Sequence, residues 1–276
     1  MAMGGAATIA AMTRPLLYEH PLSPYAQKNK IALREKGVAF DVITPDGMGS
    51  GGGGGAWLKA NPRAEVPTLV DGDVAVFDST IIQEYIEERW PSPALLPAGA
   101  AARARVRMIE DVMDTQYEAT SWGMMEVLVF RRVTGAAGEA LLMRARDQLA
   151  GLNRWLEGQL GGADWFNGAD FGWGDAAVVP FVLGAVGFGA PPAPESPLAA
   201  WLARCLERPS VAQTAAEAAA VAEIVAQMVP ALIESGQFQR EYRDHRLEWM
   251  LRSGGMQVVS AGLAAGTIRF SAEITG

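Results

Sequence analysis

Cysteine and histidine are almost absent from this sequence of 276 residues, which has one cysteine, Cys205, and two histidines, His20 and His245. A single cysteine excludes a disulfide framework and a Cys-x-x-Cys redox pair. So few thiols and imidazoles also exclude a zinc site built from Cys and His, and we expect no metal. The chemistry must therefore depend on other residue types or on a bound co-substrate.

Positive charge and long apolar runs are scarce as well. The formal net charge is -8, which argues against a general surface for nucleic acid or anionic membranes. No apolar run reaches the ~20 residues that span a bilayer, so we expect no membrane partner. Residues 1–13 lack the basic start of a secretory signal, and we interpret them as a disordered leader. With one unpaired cysteine, this predicts a cytoplasmic protein.

The first third of the chain alternates between strand and helix patterns. The predicted strands are 16–18, 38–43, 68–70 and 74–77, and the predicted helices are 25–36 and 78–90. Asp71-Gly72 is typical of a hairpin turn between the last two strands. The order β-α-β followed by β-β-α indicates a compact α/β domain.

After a proline-rich linker at Pro91, Pro93 and Pro97, the apolar spacing becomes helical only. The predicted helices are 100–133, 138–160, 175–186, 197–207, 209–229, 238–251 and 256–263. This pattern predicts an α/β N-terminal domain followed by an all-α domain.

Residues 49–55 are glycine except for Ser50. Because glycine loses the most backbone entropy on ordering, we interpret this stretch as a mobile surface loop. A phosphate-binding loop is the alternative, but neither a GK[ST] nor a GxGxxG spacing into a helix is present.

Three motifs carry a family resemblance. They are HPLSPYA at 20–26, NPRAEVPTL at 61–69 and FDSTIIQEY at 77–85. In this order and spacing the chain resembles the cytosolic glutathione transferases of the serine type, from about residue 14 to 220. The resemblance implies a thioredoxin-like, glutathione-binding domain at 14–97 and an all-helical electrophile-binding domain at 98–236. The end of the chain is longer than in most of the family, and its residue pattern predicts an extra C-terminal helical extension at 237–276.

Ser23 precedes a helix with Pro24 at its first position, which makes it a good N-cap. The resemblance implies that it is also catalytic. A helix N-terminus and a hydroxyl donor both stabilise an anion, here the glutathione thiolate. The segment Ser23-Pro24-Tyr25-Ala26 stands where glutaredoxins carry Cys-Pro-Tyr-Cys, so disulfide exchange has no protein nucleophile.

Val66-Pro67 enters a predicted edge strand, where a proline is unremarkable. The resemblance implies a cis proline that turns the backbone of Val66 toward the cysteinyl backbone of glutathione, which adds as a strand. Glu65 departs from the Gln or Lys common in the family beside this valine. We therefore expect Lys59 to hold the glycyl carboxylate of glutathione in its place.

Asp78-Ser79 opens the next predicted helix, where either residue serves as a plain N-cap. The resemblance adds a ligand to the same helix end. It implies that Ser79 binds the γ-glutamyl carboxylate and that Asp78 holds the ammonium group. The two interpretations are compatible.

The second domain offers aromatic residues for the second substrate. The resemblance implies an electrophile pocket lined by Tyr25, Tyr117 and Trp122, although apolar residues at helical spacing are usually core. In the second domain, the family's helix-capping segment matches 171–175, where Gly172 replaces the usual Ser or Thr and Asp175 must carry the cap.

The resulting prediction is a homodimeric glutathione transferase whose thiolate attacks a hydrophobic electrophile. Ether cleavage and dehalogenation use the same thiolate and stay open as alternatives. A non-catalytic assembly module with the same fold is an alternative of another class. It would have no need of Ser23, Val66-Pro67 and Asp78-Ser79 together.

Residues 239–250 of the extension predict an amphipathic helix with Tyr242 and Trp249 on its apolar side. Its acidic residues interrupt any basic membrane-binding face. We expect the extension to dock on its own subunit or on a partner, where it covers apolar surface.

Overall fold

The computed structural model describes residues 14–50 and 55–272. The predicted leader, residues 1–13, lies outside the described residues, as do residues 51–54 of the glycine-rich loop and residues 273–276.

The N-terminal part contains four strands and three helices. They are β1 Leu16–Tyr18, α1 Pro24–Glu35, β2 Asp41–Ile43, α2 Ala56–Ala60, β3 Thr68–Asp71, β4 Val74–Phe77 and α3 Ser79–Arg89. The strand order is β2-β1-β3-β4, with β1 and β2 parallel and the other pairs antiparallel. This confirms the predicted β-α-β and β-β-α order, and the hairpin turns at Gly72 with φ +60°.

Apolar residues at alternate sheet positions and on one helix face hold this part together. Leu17 pairs with Leu69 across β1 and β3. Both are fully buried with Ile82 and Ile86 of α3 and Leu33 of α1. The sheet and helices therefore fix the helix starts at 24 and 79 relative to the strand that follows Pro67.

The C-terminal part is predominantly helical. Its helices are α4 Ala100–Val112, α5 Glu118–Leu128, α6 Gly135–Leu160, α7 Trp173–Gly187, α8 Pro197–Leu206, α9 Pro209–Glu234, α10 Asp244–Arg252 and α11 Met256–Ala264. The α/β domain followed by a helical domain confirms the predicted fold class.

The predicted helix 100–133 is wrong as a single helix. A π-helical segment, Met113–Tyr117, separates α4 from α5. Its wider i→i+5 turn inserts an extra residue, so the helical spacing of α4 does not continue into α5. The side chains near this segment consequently face other directions than a continuous helix would give them.

The capping prediction for α7 is confirmed. Asp175 accepts a hydrogen bond from the backbone N–H of Gly172 at 3.0 Å and another from Phe166 N–H at 2.9 Å. The same carboxylate accepts from Trp201 Nε1 at 2.8 Å. Because all these donors meet a buried acid, Asp175 joins α7 to α8 in the centre of the helical part.

Helix α9 is long and apolar enough to cross a membrane by length and composition alone. Its two ends pack within the protein. Lys30 and Arg34 of α1 form ion pairs with Glu217 near its start. Near its end, Val229 and Ile233 are buried with Trp122 and Phe130. These contacts attach both ends of α9 to the rest of the chain, and α9 is the one helix within the described residues that passes this length and composition test.

The extension differs from the helical prediction at its start. Residues Arg240–Glu241 form a short strand, β5, that pairs in parallel with β6, Ile268–Arg269. Strand pairing with a segment that lies 28 positions later removes these residues from the predicted helix 238–251. The tail, meaning residues 237–272 of this extension, thus contains β5, α10, α11 and β6.

The predicted docking of the tail on its own subunit is confirmed. A Cβ on Gly123 of α5 would collide with the ring of Trp249, so α10 approaches α5 closely only because glycine stands there. The backbone N–H of Gln239 also donates to the carbonyl of Gly49, at 2.7 Å, in the segment after β2. The tail therefore touches both parts of the molecule.

Candidate functional site

A cleft of about 650 Å³ lies where the sheet part, the π-helical segment and the tail meet. The sheet part contributes Tyr25, Asn61, Arg63, Glu65, Val66, Pro67, Asp78, Ser79 and Thr80. The helical part contributes Asp111, Asp114 and Thr115, and the tail contributes Tyr242, Arg243, Asp244, His245, Phe270 and Ser271. Five of the predicted site residues therefore line one cleft.

Ser23 lies at the N-cap of α1 and is not itself among the residues that line this cleft. Its Oγ accepts a hydrogen bond from the backbone N–H of Ala26 at 3.3 Å, and Pro24 occupies the first helical position. Ser23 is half-buried, and Tyr25, two residues later, lines the cleft. The predicted helix start is confirmed, and the positive end of α1 carries a hydroxyl.

Val66 and Pro67 line the cleft directly after Glu65, and the bond between them is cis, as the resemblance implies. Asn61 stabilises this loop, because its Nδ2 donates a hydrogen bond to the carbonyl of Glu65 at 2.8 Å. The backbone of Val66 is consequently held at the cleft by the same loop that precedes β3.

Asp78 caps α3 with a positive φ of +75°. Its carboxylate accepts hydrogen bonds from the backbone N–H groups of Thr80, at 3.0 Å, and Ile81, at 3.4 Å. Ser79 follows as the first helical residue and is buried. Because both line the cleft with Val66, the structure brings the second and third sequence motifs together.

A buried ionic network forms the floor beneath these residues. Lys28 Nζ lies 2.6 Å from Glu110 and 2.6 Å from Asp114, and Thr80 donates to Glu110 at 3.0 Å. Burial raises the pKa of Asp114 to about 6, against the lowering effect of Lys28. Trp173 Nε1 donates to the other oxygen of Glu110 at 2.6 Å. This network joins α1, α3 and α4 below the cleft.

Three predicted assignments need correction. Lys59 is exposed on α2 and does not line the cleft. Tyr117 is fully buried, with its hydroxyl donating to Asn153 at 3.1 Å, because the π-helical segment turns it into the core. Trp122 is covered by the tail: the Arg246 guanidinium lies 3.8 Å from its ring centroid and Tyr242 meets its ring edge-on.

The tail supplies the cleft residues that the sequence did not predict. Arg243 Nη2 lies 2.6 Å from Glu65 Oε2, and its guanidinium carbon lies 5.3 Å from the ring centroid of Tyr25. Ser271 Oγ lies 3.1 Å from the other carboxylate oxygen of Glu65. Glu65, which departs from the family pattern, therefore binds the tail to the sheet part through Arg243 and Ser271.

His245 and Arg246 attach the tail to the helical part. Arg246 forms hydrogen bonds with both carboxylate oxygens of Glu118, at 2.5 to 3.0 Å, and His245 Nε2 lies 3.1 Å from one of them. Burial alone would raise the pKa of Glu118, but Arg246 and His245 lower it to about 2. Glu118 is thus ionised and paired at neutral pH.

The helical part and the tail give the cleft a more polar lining than was predicted for an electrophile pocket. The residues there include Asp111, Asp114, Thr115 and Asp244, and the aromatic surface comes from Tyr25 and Phe270. Tyr25 donates its hydroxyl proton to the carbonyl of Asp114 at 2.8 Å, and burial raises the pKa of that phenol well above its usual range. Tyr25 is therefore a neutral aromatic wall here.

Two further observations concern Cys205 and the arrangement of possible metal ligands. Cys205 is fully buried, and burial raises the pKa of its thiol, so it is inert packing, as predicted. Within residues 14–50 and 55–272, no group of three or more His, Cys, Asp or Glu side chains is arranged to hold a metal ion.

Known proteins are similar to this chain in sequence and in fold. Residues 17–94 match the family model for the glutathione S-transferase N-terminal domain. Glutathione S-transferase U28 of Arabidopsis thaliana is 33% identical over 206 residues, which cover 70% of this chain and 84% of the relative. A stringent starvation protein A homolog of Coxiella burnetii is 41% identical over 93 residues, covering 34% of this chain and 43% of that protein.

A solved structure is similar over most of the chain. The structure of rice GST1 in complex with glutathione superposes with a TM-score of 0.66 at 29% identity, covering 80% of this chain and 99% of that one.

Proposed function

The chain belongs to the glutathione S-transferase family and is a glutathione transferase, and we propose that it activates the glutathione thiol at Ser23 for attack on an electrophile held in the cleft. The observation that supports this most directly is the arrangement of Val66 and Ser79 in one cleft beside the helix that Ser23 caps.

The proposed activation rests on anion stabilisation. A free thiol has a pKa of about 8.5, so a few per cent is thiolate at neutral pH. Each unit of lowering requires ~1.4 kcal/mol of preferential thiolate stabilisation. The N-terminus of α1 and a hydrogen bond donated by the Ser23 hydroxyl together can supply about two such units. The thiol proton passes to solvent, and the sulfur then forms the new C–S bond.

The proposed binding mode uses the other two motifs. Glutathione adds as a strand beside Val66, whose N–H and C=O face the cysteinyl backbone of the ligand. Its γ-glutamyl carboxylate accepts hydrogen bonds from Ser79 at the start of α3, and its ammonium group pairs with Asp78. This places the γ-glutamyl end of the ligand at α3 and its glycyl end on the far side of Val66.

In this proposal the apolar part of the electrophile packs against the side chains of Tyr25 and Phe270. Conjugation forms a thioether, and with a foreign electrophile that is a detoxification reaction. In the alternatives the same thiolate attack forms a C–S bond while another bond breaks: aryloxide leaves in ether cleavage, and halide leaves in dehalogenation. We further propose a homodimer in the cytoplasm, which the family membership and the exposed apolar residues of α3 and α4 support.

A titration of the bound thiol tests the activation. The thiolate absorbs in the ultraviolet, so a difference spectrum of the glutathione complex against pH gives the pKa of the bound thiol. We expect a value about two units below 8.5 in the wild type and a loss of at least one unit of that shift in Ser23→Ala. The turnover rate at neutral pH should fall accordingly.

Ser196→Ala is the matched control. Ser196 caps α8 with the same geometry, accepting from Ala199 N–H at 3.1 Å with a proline next in sequence, but it is remote from the cleft. Both variants should lose about 1 kcal/mol of stability. A wild-type protein that neither binds glutathione nor lowers the pKa of its thiol would contradict the proposal.

A further inference from the structure

The tail brings one arginine into the cleft that no sequence motif predicts. The side chain of Arg243 is 22% exposed and lies between Tyr25 of α1 and Glu65 of the loop before β3. Its position is set by the strand β5, which ends two residues before it, and by α10, which begins at the next residue. The backbone on both sides of Arg243 is therefore held in place.

The hydrogen-bonding capacity of Arg243 is only partly used. Its Nη2 contacts Glu65 through one oxygen at 2.6 Å, and Glu241 lies 3.7 Å from its Nε. Within the described part of the chain, Nε is buried and has no hydrogen-bond partner. A guanidinium has five N–H donors and binds a carboxylate most strongly through two parallel hydrogen bonds. Arg243 thus has donors left for a second carboxylate.

The ion pair between Arg243 and its present partner, the Glu65 carboxylate, can be exchanged. Burial and a contact with Glu241 raise the pKa of Glu65. Ser271 Oγ lies between these two acids, 3.1 Å from Glu65 and 3.4 Å from Glu241. Arg63 lies 3.3 Å from the same Glu65 oxygen that Arg243 contacts. Glu65 would therefore keep one guanidinium partner after Arg243 turned away from it.

The proposed orientation of glutathione in the cleft gives Arg63 and Arg243 different roles. Arg63 lies 4.0 Å from Asp78, so it belongs to the α3 end of the cleft, where the γ-glutamyl group is proposed to bind. Arg243 contacts Glu65, Glu241 and Tyr25. Both arginines contact the same oxygen of Glu65, but only Arg63 also pairs with Asp78 at the start of α3. Of these two arginines, Arg243 is therefore the one left for the glycyl end of the peptide.

We propose that Arg243 is a specificity-determining residue that binds the glycyl carboxylate of glutathione, exchanging Glu65 for the ligand. The inference rests on the proposed function, because it takes the orientation of glutathione from it. It gives the tail a role in recognising the co-substrate, in the place where Lys59 was expected. Binding of glutathione and docking of the tail then depend on the same side chain.

The test compares glutathione with its glycyl monoethyl ester, which keeps the thiol and the γ-glutamyl group but lacks the glycyl charge. Affinities of both are measured by thiolate difference absorbance on the full chain. The wild type should bind the ester about tenfold more weakly than glutathione. Arg243→Gln should weaken glutathione binding about tenfold and leave binding of the ester unchanged.

Two further variants complete the experiment. Arg252→Gln is the matched control, because Arg252 is an exposed tail arginine paired only with Glu248 and should change neither affinity. The double variant Glu65→Gln/Arg243→Gln leaves no uncompensated carboxylate, and it should also bind glutathione and the ester alike. It provides a folded protein for the comparison where Arg243→Gln alone unfolds.

Two results would overturn the inference. One is a wild type that binds glutathione and the ester equally well. The other is an equal loss of both affinities in Arg243→Gln, which would mean that the residue only holds the tail in place. Neither result touches the proposed function, whose failure would instead appear as a wild type that binds neither compound.

Discussion

The hydroxyl of Tyr242 donates a hydrogen bond to Oε1 of Glu126 at 2.6 Å, across 116 positions of sequence and with both side chains buried. The other oxygen of Glu126 receives Arg240, which is likewise inaccessible to solvent. A carboxylate of the helical part is therefore neutralised and solvated entirely by the tail. The tail is consequently a structural component of the helical part.

Removal of Arg240 should destabilise the protein strongly. Arg240→Met leaves Glu126 buried with Tyr242 as its remaining tail partner, and breaking a buried ion pair from one side typically costs about 3–5 kcal/mol. Arg240→Met/Glu126→Gln removes the orphan charge and should recover a large part of that loss. Denaturant unfolding of both variants measures the difference. Equal stabilities for the single and double variants would contradict the importance of the buried charge.

Asp78→Asn should separate ligand binding from helix capping. Asparagine caps a helix as well as aspartate and tolerates the positive φ at this position, so the melting temperature should stay unchanged. Loss of the charge proposed to hold the glutathione ammonium should raise the KM for glutathione about tenfold, with kcat little affected. Steady-state kinetics measure both. Glu88→Gln, on the exposed end of the same helix, should change neither constant.

Stability should depend on pH through Asp175. Burial raises the pKa of this carboxyl from 3.8 to about 6, although four N–H groups that donate to it act in the opposite direction. The folded state therefore binds more protons than the unfolded state between pH 4 and 6, so stability is lost as the pH rises through this window. A shift of two units corresponds to a loss of up to ~3 kcal/mol.

The variant Asp175→Asn isolates this effect, because an amide does not titrate and the other acids cancel in the comparison. Between pH 4 and pH 7 the unfolding free energy of the wild type should decline relative to the variant. Urea denaturation at several pH values measures the two profiles. Parallel profiles would show that Asp175 does not titrate in this range.

Met108→Glu should dissociate the proposed homodimer. Met108 on α4 is 63% exposed, and Ile81 on α3 is 55% exposed. A charge buried against a partner subunit would be unpaired and unfavourable. Sedimentation should show the wild type at twice the 29.3 kDa chain mass and this variant at the chain mass. Met143→Glu is the control, because Met143 is 62% exposed on α6 and should leave the dimer intact.

The sequence predicted the parts of the site that depend on local order. Pro24 after Ser23, and Asp78 before an apolar helix, are capping patterns that act over a few residues, so both helix starts were predictable. The apolar periodicity also predicted most helices to within a few residues. The π-helical segment has no such pattern, and the orientations of Tyr117 and Asp114 could not be read from spacing alone.

The contribution of the tail was unpredictable for a different reason. Glu65 lies 178 positions before Arg243, and in the sequence it was only a departure from the family pattern. Its partner is determined by β5, whose pairing with β6 also replaces the predicted helix start. Contacts of this range depend on the assembled fold, and a single sequence carries no pairwise signal for them.

The attachment of Glu65 to Arg243 determines the order in which the cleft forms during synthesis. A ribosome that adds about 5–20 residues per second needs roughly 10 to 35 s to go from one residue to the other. Once residue 89 has been added, the nascent chain has strands β1 to β4 and all three sequence motifs, but it still lacks the wall of the cleft that the tail supplies. Glu118 and Glu126 meanwhile lack their arginine partners, so the helical part reaches its final packing only as translation ends.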